Sequence, residues 1–329
     1  MPIKIMFFMI MTSGVIITIS ATSWFTVWLG LEINMMAFLP LMINHTNQHT
    51  YEACLKYFLS QVIASSFLLL ALTIPPQMML WPLTTEFSSS SVIITIALVL
   101  KLGAAPFHFW FPPTMEGLEW QSCILLATIQ KISPLILLSM FNSNVLIISA
   151  LMSALAGAIG GYNQTLMRKL MAYSSIGHLS WMLMSTILSQ SFTMFYIMTY
   201  IYLSSLMMLM FKMMNIYHVM QMITMPQATI MFLMMLNMLS LGGLPPFLGF
   251  LPKWMLIQEM ANMNMLVQAL VMIMSSLVTL FYYLRITYTT LLTSSSILNI
   301  TPYKTPKLLI ISSIPSLLTL PIIMPALIM

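Results

Sequence analysis

Four ionisable side chains stand inside apolar segments, where charge is expensive. Glu32 lies within residues 28–36, Lys101 at the centre of residues 91–111, Lys131 deep in residues 124–136, and Lys253 just after a Gly/Pro-rich stretch and before Trp254. A charge at the middle of a membrane-spanning helix costs at least about 2.5–3.5 kcal/mol on insertion scales, so those that persist face a bundle interior or a water-filled cavity. A buried lysine is costly when charged and can release its proton, whereas a neighbouring carboxylate favours the charged form. One Glu and three Lys on separate helices therefore suit a proton relay whose members change affinity as their neighbours gain or lose charge. The competing reading is a static ion pair, or a lysine that snorkels to the surface. Snorkelling suits Lys253 at a helix break and fits Lys101 and Lys131 poorly, because both are too central. Lys131 has no acidic partner visible in the sequence.

The elements that position these groups follow from composition. The chain has 329 residues, 60% of them apolar and only 5% charged, with 11 Lys and Arg and 6 Glu. Soluble domains carry roughly 25% charged residues. With a mean hydropathy of +0.97 and apolar runs of about 20 residues recurring throughout, the expected fold is an all-α polytopic membrane protein. Eleven spans are expected, at about 3–21, 23–43, 54–74, 91–111, 121–140, 143–161, 171–189, 192–214, 227–259, 263–288 and 307–328. The first reads as a retained span rather than a cleaved signal peptide. With this count, eight of the eleven basic residues (Lys4, Lys56, Arg168, Lys169, Lys212, Arg285, Lys304 and Lys307) fall in the N-terminal tail or in loops of one side. Loops rich in Lys and Arg stay on the side of insertion, so the N-terminus belongs to that side. Glu86 and Glu259 fall on the other face.

Spans four and nine are interrupted. Gly103-Ala104-Ala105-Pro106-Phe107 with Pro112 recurs 140 residues later as Gly243-Leu244-Pro245-Pro246-Phe247 with Pro252. Pro106, Pro245 and Pro246 remove backbone donors and clash with preceding carbonyls, which breaks a helix. The breaks are five spans apart, an odd number, so the two units carry opposite senses. Two inverted five-helix repeats, 1–140 and 141–289, are therefore expected, followed by a C-terminal loop and last span over 290–329. Inverted repeats with interrupted helices are the signature of secondary transporters. Pro134 is expected to kink span five.

Other residues bear less chemistry. His108, beside the first break, could extend a hydrated path or could be satisfied by backbone carbonyls. His178 and His218 read as packing or interfacial residues, and His45 and His49 lie in a polar loop. Gly157, Gly160 and Gly161 give the small-residue spacing of a close helix contact. Cys54 and Cys123 read as small apolar fillers. The sequence has no dinucleotide fingerprint, no P-loop and no ligand set for a cluster or haem, so no cofactor and no metal is expected in this chain. The basic residues are scattered, and nucleic acid is not expected as a partner.

Several stretches carry a family resemblance: Gly30-Leu31-Glu32-Ile33-Asn34, Lys101-Leu102-Gly103-Ala104-Ala105-Pro106-Phe107-His108-Phe109-Trp110, Gln130-Lys131-Ile132-Ser133-Pro134, residues 168–179 from Arg168-Lys169 through Gly177-His178-Leu179, and Gly242-Gly243-Leu244-Pro245-Pro246-Phe247. On these the chain resembles, over its whole length, the antiporter-like membrane subunits of proton-pumping NADH:ubiquinone oxidoreductase (respiratory complex I) in their mitochondrially encoded form. The resemblance implies that Glu32 modulates Lys101 on the first broken helix, that Lys131 is the central-axis lysine, and that Lys253 belongs to the second broken helix. It implies assembly with other membrane and accessory subunits and with lipids. NADH, FMN, iron–sulfur clusters and ubiquinone would be used by those partners. The implied location is the mitochondrial inner membrane, with the N-terminus in the matrix and the C-terminus on the intermembrane side. A mitochondrial code that reads an isoleucine codon as methionine would also account for the 38 Met. The alternatives are a stand-alone cation/proton antiporter, or a passive scaffold whose buried charges only fix helix register.

Overall fold

The computed structural model describes residues 2–44, 47–73, 89–141, 143–223, 228–294 and 313. Long apolar stretches can satisfy their backbone groups in hydrocarbon only by coiling into helices. In chain order these are α1 Pro2–Ser20, α2 Trp24–Met42, α3 Gln48–Thr73, α4 Ser89–Leu102, a 3-10 turn His108–Trp110, α5 Phe111–Gly117, α6 Trp120–Ala127 and α7 Ile129–Leu138. They continue with α8 Asn144–Tyr162, α9 Met167–Leu188, α10 Gln190–Met213, α11 Val219–Ile223, α12 Ala228–Gly242, α13 Phe250–Asn262 and α14 Leu266–Ser294. Among the described residues there is no strand, only a single bridge between Leu166 and His218.

Among the described residues seven stretches are long and apolar enough to cross a membrane: α1, α2, α3, α6 with α7, α8, α10 and α14. α4 and α12 are shorter apolar helices, each continued beyond a break. α9 has 22 residues and is buried on almost every face, from Met167 to Thr186. Ten of the eleven expected spans thus have helical counterparts. The eleventh, 307–328, lies outside the described residues but for Ser313, and Glu86, Lys304 and Lys307 also lie outside them.

Span five departs from expectation. Pro134 sits inside α7, and the helix is interrupted at Thr128 instead (φ −113°, ψ −79°). The Thr128 hydroxyl donates to the Ile124 carbonyl at 2.6 Å, a back-bond that bends helices. The Lys131 amide bonds to the Thr128 carbonyl at 3.1 Å, tightening the turn just ahead of Lys131.

Loops that the charge pattern assigned to one side do meet at one end of the bundle. Asn44 donates to Glu119, and the Arg168 guanidinium donates to the Leu118 carbonyl while stacking over Tyr217. Lys169 pairs with Glu116 at 2.8 Å, and Arg285 donates to the Tyr162 carbonyl. These contacts tie together the connections α2–α3, α5–α6, α8–α9 and α10–α11.

Candidate functional site: two broken helices and a line of buried lysines

The breaks after α4 and α12 end in the same way. Gly103 and Gly243 adopt left-handed φ values of +69° and +84°. The Gly103 amide bonds to the Leu100 carbonyl and the Ala104 amide to the Val99 carbonyl; Gly243 and Leu244 repeat this with Ser240 and Leu239. This pair of bonds is the Schellman termination, for which glycine supplies the left-handed residue without a Cβ penalty. The repeated Gly–x–x–Pro spacing is therefore a repeated helix stop.

Helix stops leave carbonyls without intrahelical partners, and at both breaks the site residues serve them. Trp110 donates its indole N–H to the Leu100 carbonyl at 3.3 Å, and Gln61 of α3 donates to the Lys101 carbonyl at 3.3 Å. At the second break, Lys253 Nζ donates to the Gly242 carbonyl at 2.9 Å. A cation at a helix C-terminus also meets the negative end of the dipole. Lys253 is buried, at 6% exposure, so it does not snorkel.

Lys101, in the last turn of α4, sends its side chain to α2, where Nζ lies 3.9 Å from Glu32 Oε1 with 3% and 18% side-chain exposure. This is the pair the sequence pointed to. At such a separation the Coulomb term is about 4 kcal/mol for an effective dielectric near 20.

Lys131, on α7, is 3% exposed and held entirely by uncharged groups. Nζ donates to the Ser175 carbonyl of α9 and the Tyr200 hydroxyl of α10, both at 3.4 Å. It also lies 5.0 Å from the Phe111 ring centre and 5.1 Å from that of Tyr200, within cation–π range. Among the described residues no carboxylate lies within ion-pair distance of Lys131 or Lys253.

His178 stands between these two lysines. Its ring centre is 5.3 Å from that of Tyr200, Nδ1 bonds with the Tyr196 hydroxyl at 3.1 Å, and it lines with Lys253 a cavity of about 10 Å³ that also holds Ser174, Ser275 and Thr279. A second cavity of about 10 Å³ lies on the Lys101 side, lined by Asn34, Tyr57, Gln61, Lys101, Gln130 and Ser133. Each is of the size that holds one water molecule among polar partners. The order across the bundle is then Glu32, Lys101 with the cavity it lines, Lys131 with Tyr200, His178, and Lys253 with the cavity it shares with His178. His178 and Tyr200 had been read as packing or not singled out; a histidine and a tyrosine within apolar spans were the available signal. His108 lines neither cavity and stacks on Phe109 at 4.4 Å.

A family model described as NADH:quinone oxidoreductase/Mrp antiporter, TM, matches residues 21–281. The chain belongs to this family. NADH-ubiquinone oxidoreductase chain 2 of Anopheles gambiae is 46% identical over 286 residues, covering 86% of this chain and 84% of the relative. The protein of the same name from Locusta migratoria is 38% identical over 294 residues, 88% and 85% of the two chains. The fold recurs in a chain of respiratory complex I from Thermus thermophilus (TM-score 0.85, 21% identity, 98% of this chain and 78% of that one). It recurs also in a chain of the Mrp complex from Dietzia (TM-score 0.75, 16% identity, 85% and 59%). The two broken helices, the three buried lysines and the half-buried Glu32 lie within the stretch that the family model matches.

Proposed function

We propose that the chain is the antiporter-like membrane subunit of mitochondrial respiratory complex I, working in the inner membrane beside other membrane and accessory subunits. It contributes to proton translocation while partners that bear flavin, iron–sulfur clusters and quinone carry out NADH oxidation and ubiquinone reduction. The observation that carries this reading is the Glu32–Lys101 pair at a helix stop, in line with a Lys131 that has only neutral partners. Residues 1–140 and 141–289 are taken as the two inverted repeats, supported by the matching helix terminations. The N-terminus is assigned to the matrix, supported by the loop charges, and the C-terminus to the intermembrane side.

The relay works by competition for Lys101. With Lys101 drawn to Glu32, Lys131 feels less repulsion and accepts a proton. With Lys101 released, repulsion drives that proton past Tyr200 and His178 toward Lys253. Moving one charge against the membrane potential costs about 2.3 kcal/mol per 100 mV. Opening or closing a charge pair worth about 4 kcal/mol of Coulomb energy supplies that amount.

Glu32→Gln keeps the side-chain volume and removes the charge. The expected outcome is normal assembly with NADH:ubiquinone turnover lowered about tenfold and pumping lowered with it, read in liposomes by NADH oxidation and a pH-sensitive dye. Turnover and pumping at parental rates would remove Glu32 from the relay. Gly243→Ala tests the second break. Left-handed backbone costs about 1–2 kcal/mol for a residue with a Cβ, and the new Cβ would lie 3.0 Å from Lys253 Nζ. Activity per assembled complex should therefore fall further than the amount of complex on a native gel.

A further inference from the structure

We propose that Tyr196 of α10 is a positioning residue for His178, its hydroxyl fixing which ring nitrogen is free to take a proton. The proposal rests on the relay reading above and adds a residue that acts on one of its members.

One face of α10 offers two hydroxyls. Tyr196 and Tyr200 stand four residues apart in Gln190–Met213, so their side chains share a face on successive turns. Both rings are buried. The Tyr200 hydroxyl accepts from Lys131 Nζ at 3.4 Å, and the Tyr196 hydroxyl bonds with His178 Nδ1 at 3.1 Å. The same helix face therefore serves a lysine on α7 and a histidine on α9.

The far side of the His178 ring decides the tautomer. The ring also bonds with the Leu241 carbonyl, in the last turn of α12 and next to Gly242, whose own carbonyl accepts from Lys253. The last carbonyls of a helix lack intrahelical partners, and a carbonyl can only accept. With Nδ1 on Tyr196, the nitrogen that serves Leu241 is Nε2. The neutral ring then carries its hydrogen on Nε2 and its lone pair on Nδ1, and the Tyr196 hydroxyl donates to that lone pair. Contacts on both sides of the ring hold one tautomer and one orientation, because the bond at one nitrogen sets the protonation of the other.

This leaves one seat for an arriving proton. Protonation at Nδ1 converts the imidazole to an imidazolium; Nδ1–H then donates to the Tyr196 oxygen, whose own hydrogen turns away, and Nε2–H stays on Leu241. No bond of Tyr196 is made or broken. The charged groups facing the ring are Lys131 of α7 and Lys253 of α13, the two lysines between which it stands, and among the described residues no carboxylate pairs with it. Without the Tyr196 hydroxyl the lone pair has no donor, and neither the tautomer nor the ring angle is held from the α10 side.

The test uses the intact complex in liposomes, with rates taken per assembled complex. Tyr196→Phe keeps the ring and removes only the hydroxyl. Assembly should be unchanged, with turnover and pumping lowered together at least fivefold. The deciding readout is a double-mutant cycle with His178→Gln, since groups that act through one another are not additive. His178→Gln alone should be slow, and adding Tyr196→Phe to it should cost less than a further twofold, whereas a packing defect would multiply the two losses. Tyr196→Met, a second apolar replacement, should give the same pattern. Tyr196→Phe at parental rate, His178→Gln at parental rate, or a full fivefold loss repeated in the His178→Gln background overturns the positioning role. If one of these occurs while Lys131→Ala is inactive, only the role of Tyr196 falls; normal pumping by Lys131→Ala removes the relay itself.

Discussion

Replacing Lys131 by alanine is expected to leave an assembled complex that oxidises NADH at least tenfold more slowly and pumps correspondingly little. The side chain contributes little that packing alone would need. Nζ makes two hydrogen bonds at 3.4 Å and two ring contacts, each weak, and no ion pair. A buried charge with so few compensations is costly to keep, so its removal should not harm folding. Function is different under the proposed relay, because among the described residues Lys131 is the one lysine between the Lys101 cavity and His178. Without it the proposed relay leaves the proton no lysine to rest on over that distance, and quinone reduction coupled to the same motion should stall. Lys131→Met, closer in shape, should behave as Lys131→Ala does, and Lys131→Arg should fail to restore pumping because a guanidinium holds its proton. The measurement is proton uptake per electron alongside turnover in liposomes. A parental ratio at full rate in Lys131→Ala would exclude the role assigned to it.

The largest expected structural effect is elsewhere. Gly157→Val should prevent accumulation of the assembled complex. An added Cβ at this position would stand 2.6 Å from the Gly177 amide nitrogen, 2.8 Å from its Cα and 2.9 Å from the Tyr173 carbonyl. All are backbone atoms, which no rotamer change can move aside. Overpacking against flexible side chains costs about 1–3 kcal/mol, and forcing two helix backbones apart must cost more. α9 carries the Ser175 carbonyl and His178, so any separation of α8 and α9 also displaces the groups around Lys131. Native-gel abundance after expression checks this. Gly177→Ala is the contrasting case, since its Cβ would meet only the Thr279 methyl at an ordinary 3.7 Å; near-normal assembly is expected.

Much of the site was legible from the sequence because charge in hydrocarbon is rare. Glu32, Lys101, Lys131 and Lys253 stood out by their cost of burial alone, and all four are buried or nearly so. The matching glycine–proline spacing announced two breaks, and both end in the same left-handed glycine stop. Span five shows where such reading fails. Proline marked a kink at Pro134, but the helix gives way at Thr128, because a hydroxyl bonding back to its own helix leaves no periodic trace. His178, Tyr200, Gln130 and Tyr57 were similarly silent. A polar side chain in a membrane helix has one meaning against lipid and another against a lysine on a different helix, and chain order does not say which.

By itself, then, the sequence determined the solvent, the helices, the side on which the basic loops gather, the two stops and the four charges, since each follows from a local transfer cost or a local backbone preference. Only the tertiary structure decided that Glu32 faces Lys101 at 3.9 Å, that Lys131 rests on neutral groups, that Lys253 caps α12, and that one small polar cavity is lined by Lys101 and another by Lys253. Those are relations between helices far apart in the chain. They depend on which faces pack together, and that choice is made by the summed contacts of the whole bundle rather than by any one segment.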